Sequence, residues 1–128
     1  MSVVRVLLVE DNDGDARIVE LMIQGTFGKD IELSRALSLS EALELLDSAT
    51  PDCVVLDLGL PDAQGIDALR RVLAVAPHTA LVVLTGQYDE NLALQSLQQG
   101  AEDYLVKGQI EATVLARAMR YAVERKAS

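Results

Sequence analysis

The chain has 128 residues, half of them hydrophobic, with 20 acidic residues against 11 Lys and Arg for a formal charge of −9, one Cys and no Trp. That length fits one domain, 1–128, within the usual span of about 100–200 residues, and such a chain buries about two-thirds of its unfolded surface without disulfide or metal staples. The acidic balance argues against nucleic acid and against an anionic membrane surface, because both must be met by clustered Lys and Arg.

The longest uninterrupted apolar stretches, such as residues 6–9 and 80–84, fall far short of the roughly 18 residues a membrane span requires. Met1-Ser-Val-Val-Arg5 lacks the charged region and long apolar run of a secretion signal. A single Cys53 has no intramolecular partner and reads as a small core residue, so a reducing cytoplasm is the expected compartment.

In chain order, short apolar runs alternate with longer stretches of helical periodicity. The first run, 3–9, is rich in Val and Leu and is followed by an acidic loop and a stripe of Ile18, Leu21 and Met22. A second run, 31–33, precedes Leu39, Ala42, Leu43 and Leu46, and a third, 53–56, precedes Ala68, Leu69, Val72 and Leu73. The fourth, 81–84, leads to Leu94 and Leu97 before Gly100 stops the helix. The fifth, 104–106, leads to a broad stripe of Val114, Leu115, Ala118, Met119, Ala122 and Val123. Near-continuous apolar runs suit strands covered on both faces. Five strand–helix repeats therefore predict an α/β fold: a doubly wound parallel sheet with right-handed crossovers and helices on both faces. Strand order 2-1-3-4-5 is adopted by analogy with small proteins of this pattern. Arg120, Arg125 and Lys126 collect at the end of the last helix, where cations complement the helix dipole.

In doubly wound sheets, function sits beyond the carboxyl ends of the strands. The residues there are Glu10, Asp11, Asn12 and Asp13 after the first strand, Asp57 after the third, Thr85 and Gly86 after the fourth, and Lys107 and Gly108 after the fifth. Glu10, Asp11 and Asp57 would converge, and three anions in proximity disfavour one another's charge unless a cation balances them. Hard oxygen ligands suit Mg²⁺, which takes one or two carboxylates and keeps several waters, and Lys107 could add a further positive charge. The loop from Glu10 to Asp15 carries four acids and one Gly, so it would repel the phosphates that a dinucleotide or Walker loop cradles. His78, after Pro77 in a turn, reads as a surface residue rather than a catalytic base, and no Ser-His-Asp or Cys-His arrangement forms around it.

These residues resemble the receiver domains of two-component response regulators, over almost the whole chain. Val9-Glu10-Asp11-Asn12 is similar to the family's acidic pair, Leu56-Asp57-Leu58-Gly59-Leu60-Pro61 with Gly65 to its phosphoacceptor segment, Leu84-Thr85-Gly86 to its hydroxyl-plus-small pair, and Tyr104-Leu105-Val106-Lys107 to its aromatic and lysine. The resemblance implies a flavodoxin-like, CheY-like fold and a phosphoryl group accepted on Asp57 from a sensor histidine kinase or phosphotransfer protein. It implies Mg²⁺ held by Asp11 and Asp57, by Glu10 through water, and by the Gly59 carbonyl. Thr85 and Lys107 would contact the phosphoryl oxygens, and Thr85 and Tyr104 would form the switch. An output partner would read the face made by the fourth helix, fifth strand and fifth helix, where Gln95, Gln98 and Gln99 leave an uncharged surface, and phosphorylation could drive homodimer formation.

Glu10 stands where the family more often has aspartate, and Gly108 where it usually has a proline whose bond is cis. A cis bond before a non-proline residue costs about 2.5–4 kcal/mol, so Lys107–Gly108 is expected to be trans with a more mobile loop. Gly59, without a side chain, and Gln87, two residues past Thr85, leave water access to Asp57 open. The terminal helix resembles the exit helix of receivers that precede a sensor, kinase or cyclic-dinucleotide output domain, so excision from a longer signalling protein is the preferred reading over a stand-alone receiver. The competing function is a phosphorylation-independent docking module on the same fold, which would go with a broken pocket. An aspartyl phosphatase would want a second Asp two residues after the nucleophile, where this chain has Gly59.

Overall fold

The computed structural model describes residues 3–127. Residues 1, 2 and 128 of the expected domain lie outside the described residues. The elements are β1 (Val4–Val9), α1 (Asp13–Phe27), a short 3-10 turn (Gly28–Asp30), β2 (Ile31–Ala36), α2 (Leu39–Ser48), β3 (Cys53–Leu56), α3 (Ile66–Val75), β4 (Ala80–Thr85), α4 (Glu90–Gln99), β5 (Asp103–Val106) and α5 (Ala112–Ala127). All strands pair in parallel in the order β2-β1-β3-β4-β5. The expected fold and strand order are both found.

The sheet divides the core in two. Leu7, Val9, Val54, Leu56, Leu81 and Val83 face α2 and α3, with Leu92 of α4 packed on the same layer. Val6, Leu8, Val55, Val82 and Leu84 face α1 and α5, where Ile23, Phe27, Leu115 and Met119 cover them. Alternate residues of one strand thus supply opposite layers, which is why the central runs are apolar throughout. Cys53 lies in the second layer and is fully buried, and burial pushes its thiol up to about 12. His78 is exposed.

Helix starts follow side-chain caps. Asn12 accepts the Asp15 N–H ahead of α1, Ser38 that of Glu41 ahead of α2, and Asp89 that of Leu92 ahead of α4. Gly100 ends α4 at φ +120°, and a Cβ there would come within 3.2 Å of Leu73 Cδ1, so both the turn and the packing call for glycine.

Two helical faces differ from the expected stripes. In α1 the buried residues are Ala16, Val19, Ile23 and Phe27, whereas Ile18 and Leu21 are 58% and 53% exposed. In α4, Ala93 and Ser96 are buried and Leu92 is half-buried, while Leu94 and Leu97 face outward. In α4 small residues take the close approach and the larger aliphatic pair is left outside, whereas in α1 a different stripe, which includes the large Ile23 and Phe27, is the buried one. In α5, Ala116 joins the buried set and Val114 is exposed. The stripes expected for α2 and α3 are the buried ones, with Leu43 and Leu73 at their margins.

Candidate functional site

Strand register assembles the site. Val9 is level with Leu56, so the next residues, Glu10 and Asp57, leave the sheet side by side. Asp57 N–H donates to the Val9 carbonyl at 3.0 Å, and Glu10 N–H donates to the Ala36 carbonyl at 3.0 Å. On the other side Thr85 is level with Val106, and Lys107 N–H donates to the Thr85 carbonyl at 2.7 Å. These bonds tie the ends of β1, β2 and β3 together on one side of the rim and those of β4 and β5 on the other.

The side chains converge on that rim. Carboxylate oxygens of Glu10, Asp11 and Asp57 lie within 4.8 Å of one another. Glu10 and Asp57 are buried, at 2% and 8% exposure, and Asp11 is exposed. The Lys107 ammonium pairs with Glu10 Oε1, lies 3.1 Å from Asp15 Oδ2 and 3.3 Å from Asp57 Oδ2. Gly59 N–H donates to Asp57 Oδ1 at 3.1 Å, and Asn12 N–H to Glu10 Oε2 at 3.2 Å. The loop carrying Gly59 is itself held by the Gly65 N–H on the Leu58 carbonyl at 2.8 Å.

Burial pushes Glu10 above the ordinary carboxylate range, the Lys107 and Asn12 hydrogen bonds oppose it, and the neighbouring charge of Asp57 adds to the rise. Burial alone would lower Lys107, but its bonds to Glu10 and Asp15 and the charges of Asp57 and Glu10 outweigh that and raise it, so the ammonium stays charged at neutral pH. One ammonium faces four carboxylates when Asp15 is included. The cluster is short of positive charge, and its hard oxygen donors fit a divalent cation such as Mg²⁺.

Thr85 and Tyr104 are half-buried. Tyr104 is level with Val83, so the two-residue alternation of β4 and β5 sets Thr85 and Tyr104 on the same side of the sheet. The Tyr104 hydroxyl donates to the Gln87 carbonyl at 3.4 Å, and its ring meets Tyr88 edge-on, with centroids 6.2 Å apart at 82°. Among the described residues no peptide bond is cis, so Lys107–Gly108 is trans, and Gly108 takes φ +79°.

Two residues were not singled out from the sequence. Asp15 reaches Lys107; the signal for it is the Asn12-x-x-Asp15 spacing, which puts an acid in the first turn behind a capping Asn. Arg35, on the edge strand, donates from Nε to the Glu10 carbonyl at 3.0 Å and sets Nη2 3.0 Å from Asp13 Oδ1 as an ion pair without hydrogen-bond geometry. No local pattern announces that role, because it depends on β2 lying beside β1.

Comparison with known proteins agrees with this geometry. Residues 6–119 match the response regulator receiver domain family. The DNA-binding transcriptional activator DevR/DosR of Mycobacterium tuberculosis is 34% identical over 120 residues, covering 91% of this chain and 53% of that one. The chemotaxis protein CheY of Thermotoga maritima is 28% identical over 105 residues, covering 80% of this chain and 84% of that one. A response regulator receiver domain protein from Clostridium thermocellum superposes with a TM-score of 0.85 at 28% identity, covering 98% of each chain. The chain spans about half the length of several curated regulators it matches. No helix among the described residues is long and apolar enough to cross a membrane. The family match over residues 6–119, on the five-stranded parallel sheet described above, makes this protein a receiver domain of the two-component response regulators.

Proposed function

We propose that Asp57 is the phosphoacceptor of this receiver. The observation that carries the reading is the meeting of the Glu10, Asp11 and Asp57 carboxylates with the Lys107 ammonium at the ends of β1, β3 and β5. A carboxylate nucleophile attacks through an oxygen lone pair and has no hydroxyl or thiol proton to give up, so Asp57 needs no general base. One of its oxygens attacks the phosphorus of a phosphohistidine on a sensor histidine kinase or phosphotransfer protein. The new O–P bond forms as the P–N bond breaks, and the electron pair leaves with the imidazole nitrogen. The product is an acyl phosphate.

Glu10, Asp11 and Asp57, with the Gly59 carbonyl, would hold Mg²⁺, which when bound neutralises charge on the phosphoryl oxygens. Lys107 balances the same charge from the β5 side, and the Thr85 hydroxyl would bond a phosphoryl oxygen. The Gly59 N–H on Asp57 Oδ1 orients the nucleophile. Positioning and charge neutralisation are the contributions phosphoryl transfer asks of a protein. The domain thus performs its own phosphorylation and slow dephosphorylation and turns over no other substrate.

Thr85 and Tyr104 form the switch: two packings separated by about a few kcal/mol, with the phosphoryl group biasing the choice. The readout face is α4–β5–α5, where Tyr88, Leu94 and Leu97 are exposed beside the uncharged Gln95, Gln98 and Gln99. It would receive an output partner or a second receiver in a phosphorylation-driven homodimer. Nucleic acid and membranes are not direct partners of this acidic domain, and the cytoplasm is its compartment. The receiver acts as one module. A docking module indifferent to phosphorylation is disfavoured because the pocket is assembled, and an aspartyl phosphatase because Gly59 stands where its acid/base would be.

The test is intact mass after incubation with acetyl phosphate and Mg²⁺. One added phosphoryl group, lost in an Asp57→Asn variant and in EDTA, is expected. No adduct, together with no Mg²⁺ binding, would move the assignment to the docking module.

A further inference from the structure

Lys107 has three N–H donors, and all three are committed: to Glu10 Oε1, Asp15 Oδ2 and Asp57 Oδ2. A phosphoryl oxygen arriving at Asp57 therefore requires one of these bonds to be given up. Glu10 is 2% exposed, so removing the ammonium from it leaves a buried carboxylate uncompensated, the costly way to break an ion pair. The Asp57 bond holds the ammonium at the acceptor itself and is the one to be kept. The Asp15 side chain is 45% exposed, so water replaces the ammonium there with little loss.

We propose that Asp15 is a positioning residue for Lys107: it holds part of the ammonium's bonding away from Asp57 in the unphosphorylated domain and yields it when the phosphoryl group arrives. The inference rests on Asp57 being the acceptor. Asp15 is fixed for this task by two independent features. Its N–H is bound by the Asn12 side chain at 2.8 Å, which locks it in the first turn of α1, and its carboxylate bridges from there to the end of β5, 92 residues away in the chain. Its negative charge also opposes the dianionic group that Lys107 must neutralise. Asp15 thus weakens the phosphorylated state relative to the unphosphorylated one, and so sets how readily the domain is driven into it.

Asp13 supplies the control. It lies in the same helical turn and carries the same charge, but its side chain is 91% exposed and pairs with Arg35 rather than Lys107. The experiment measures the equilibrium affinity of the domain for beryllofluoride, a phosphoryl mimic, at saturating Mg²⁺ by ¹⁹F NMR, with helical circular dichroism as the check on folding. Asp15→Asn is expected to bind about three- to tenfold tighter, the size of effect seen when coupled neighbours are separated, and Asp15→Ser to shift in the same direction. Asp15→Glu, which restores the charge, should return the affinity toward wild type, and Asp13→Asn should stay within about twofold of it. Affinity in Asp15→Asn equal to or below wild type overturns the inference, as does an equal gain in Asp13→Asn, which would mark a bulk charge effect, or an equal gain in Asp15→Glu. Wild-type protein that binds no beryllofluoride would instead overturn the acceptor assignment, and this inference with it.

Discussion

Lys107 at the end of β5 lies 3.3 Å from Asp57 at the end of β3, although β4 runs between the two strands. The long, flexible lysine side chain spans the intervening strand, and the Lys107 N–H on the Thr85 carbonyl anchors its base. Its side chain is only 16% exposed, so the ammonium is held among carboxylates with little water to share the charge. Lys107→Met removes that charge at nearly constant volume and leaves Glu10 and Asp57 facing each other. The expected loss is about 1–3 kcal/mol of stability in chelator, as for buried groups stripped of a charged partner. Added Mg²⁺ should recover part of it, because a bound cation substitutes for the ammonium. Denaturant unfolding with and without Mg²⁺ measures both, and a variant as stable as wild type in chelator contradicts the pairing.

Asp62, in the loop after β3, accepts the Leu39 and Ser40 N–H groups at the start of α2, each at 2.9 Å. These bonds, from Ser40 first and then Leu39, hold its carboxyl below its ordinary value of 3.8. A folded-state pKa below the unfolded one means the ionised group contributes stability above the unfolded pKa and loses it as pH falls through the folded one. Asp62→Ala should therefore melt at a lower temperature than wild type at about pH 7, with the gap closing as pH falls below 3.8 and through the lowered folded-state value. A gap independent of pH would show that the carboxylate's charge is not what caps the helix.

The two candidate faces of α1 make opposite predictions. Ile23→Ala, at a fully buried position, should cost about 2–5 kcal/mol, the range for large-to-small core changes. Ile18→Ser, on the 58% exposed face, should change stability by less than about 0.5 kcal/mol. Urea unfolding of the pair decides which stripe meets the sheet, and the reverse ranking would rotate the helix.

Gly108 has φ +79°, with nothing within 4 Å of where a Cβ would stand. The strain of a substitution there is thus conformational rather than steric. Gly108→Ala should cost about 1 kcal/mol, and Gly108→Pro more, because the pyrrolidine ring fixes φ near −65°. Thermal melts of the two variants check the order. A stabilising Gly108→Pro would mean that the loop readily adopts the proline-bearing path that the family's more common sequence takes.

The fold and most of the rim were legible because both depend on local signals. Continuous apolar runs marked the central strands, and the polar residues after Val9, Leu56 and Leu84 marked the rim. Strand order came from analogy, since periodicity does not encode which strands are neighbours. Asp15 and Arg35 escaped because their roles arise between elements: one at the meeting of α1 with β5, the other of β2 with β1. In α1 and α4 the hydrophobic signal misled. In α1 two stripes of comparable hydrophobicity compete, and the one with Val19, Ile23 and Phe27 is buried rather than Ile18 and Leu21; in α4 Leu94 and Leu97 outweigh their neighbours, but the sheet is approached through Ala93 and Ser96, because close packing rewards fit rather than size.

The central claim is that Asp57, among four neighbouring carboxylates, takes the phosphoryl group. The most direct measurement is borohydride reduction of the protein after acetyl phosphate and Mg²⁺ treatment, followed by peptide sequencing, since an aspartyl phosphate is reduced to homoserine at the residue that bore it and a glutamyl phosphate at Glu10 would give 5-hydroxynorvaline instead. Homoserine at position 57 alone is the predicted result. Homoserine at position 11 or 15, or intact aspartate at 57 in protein that carries the phosphoryl adduct, would contradict it.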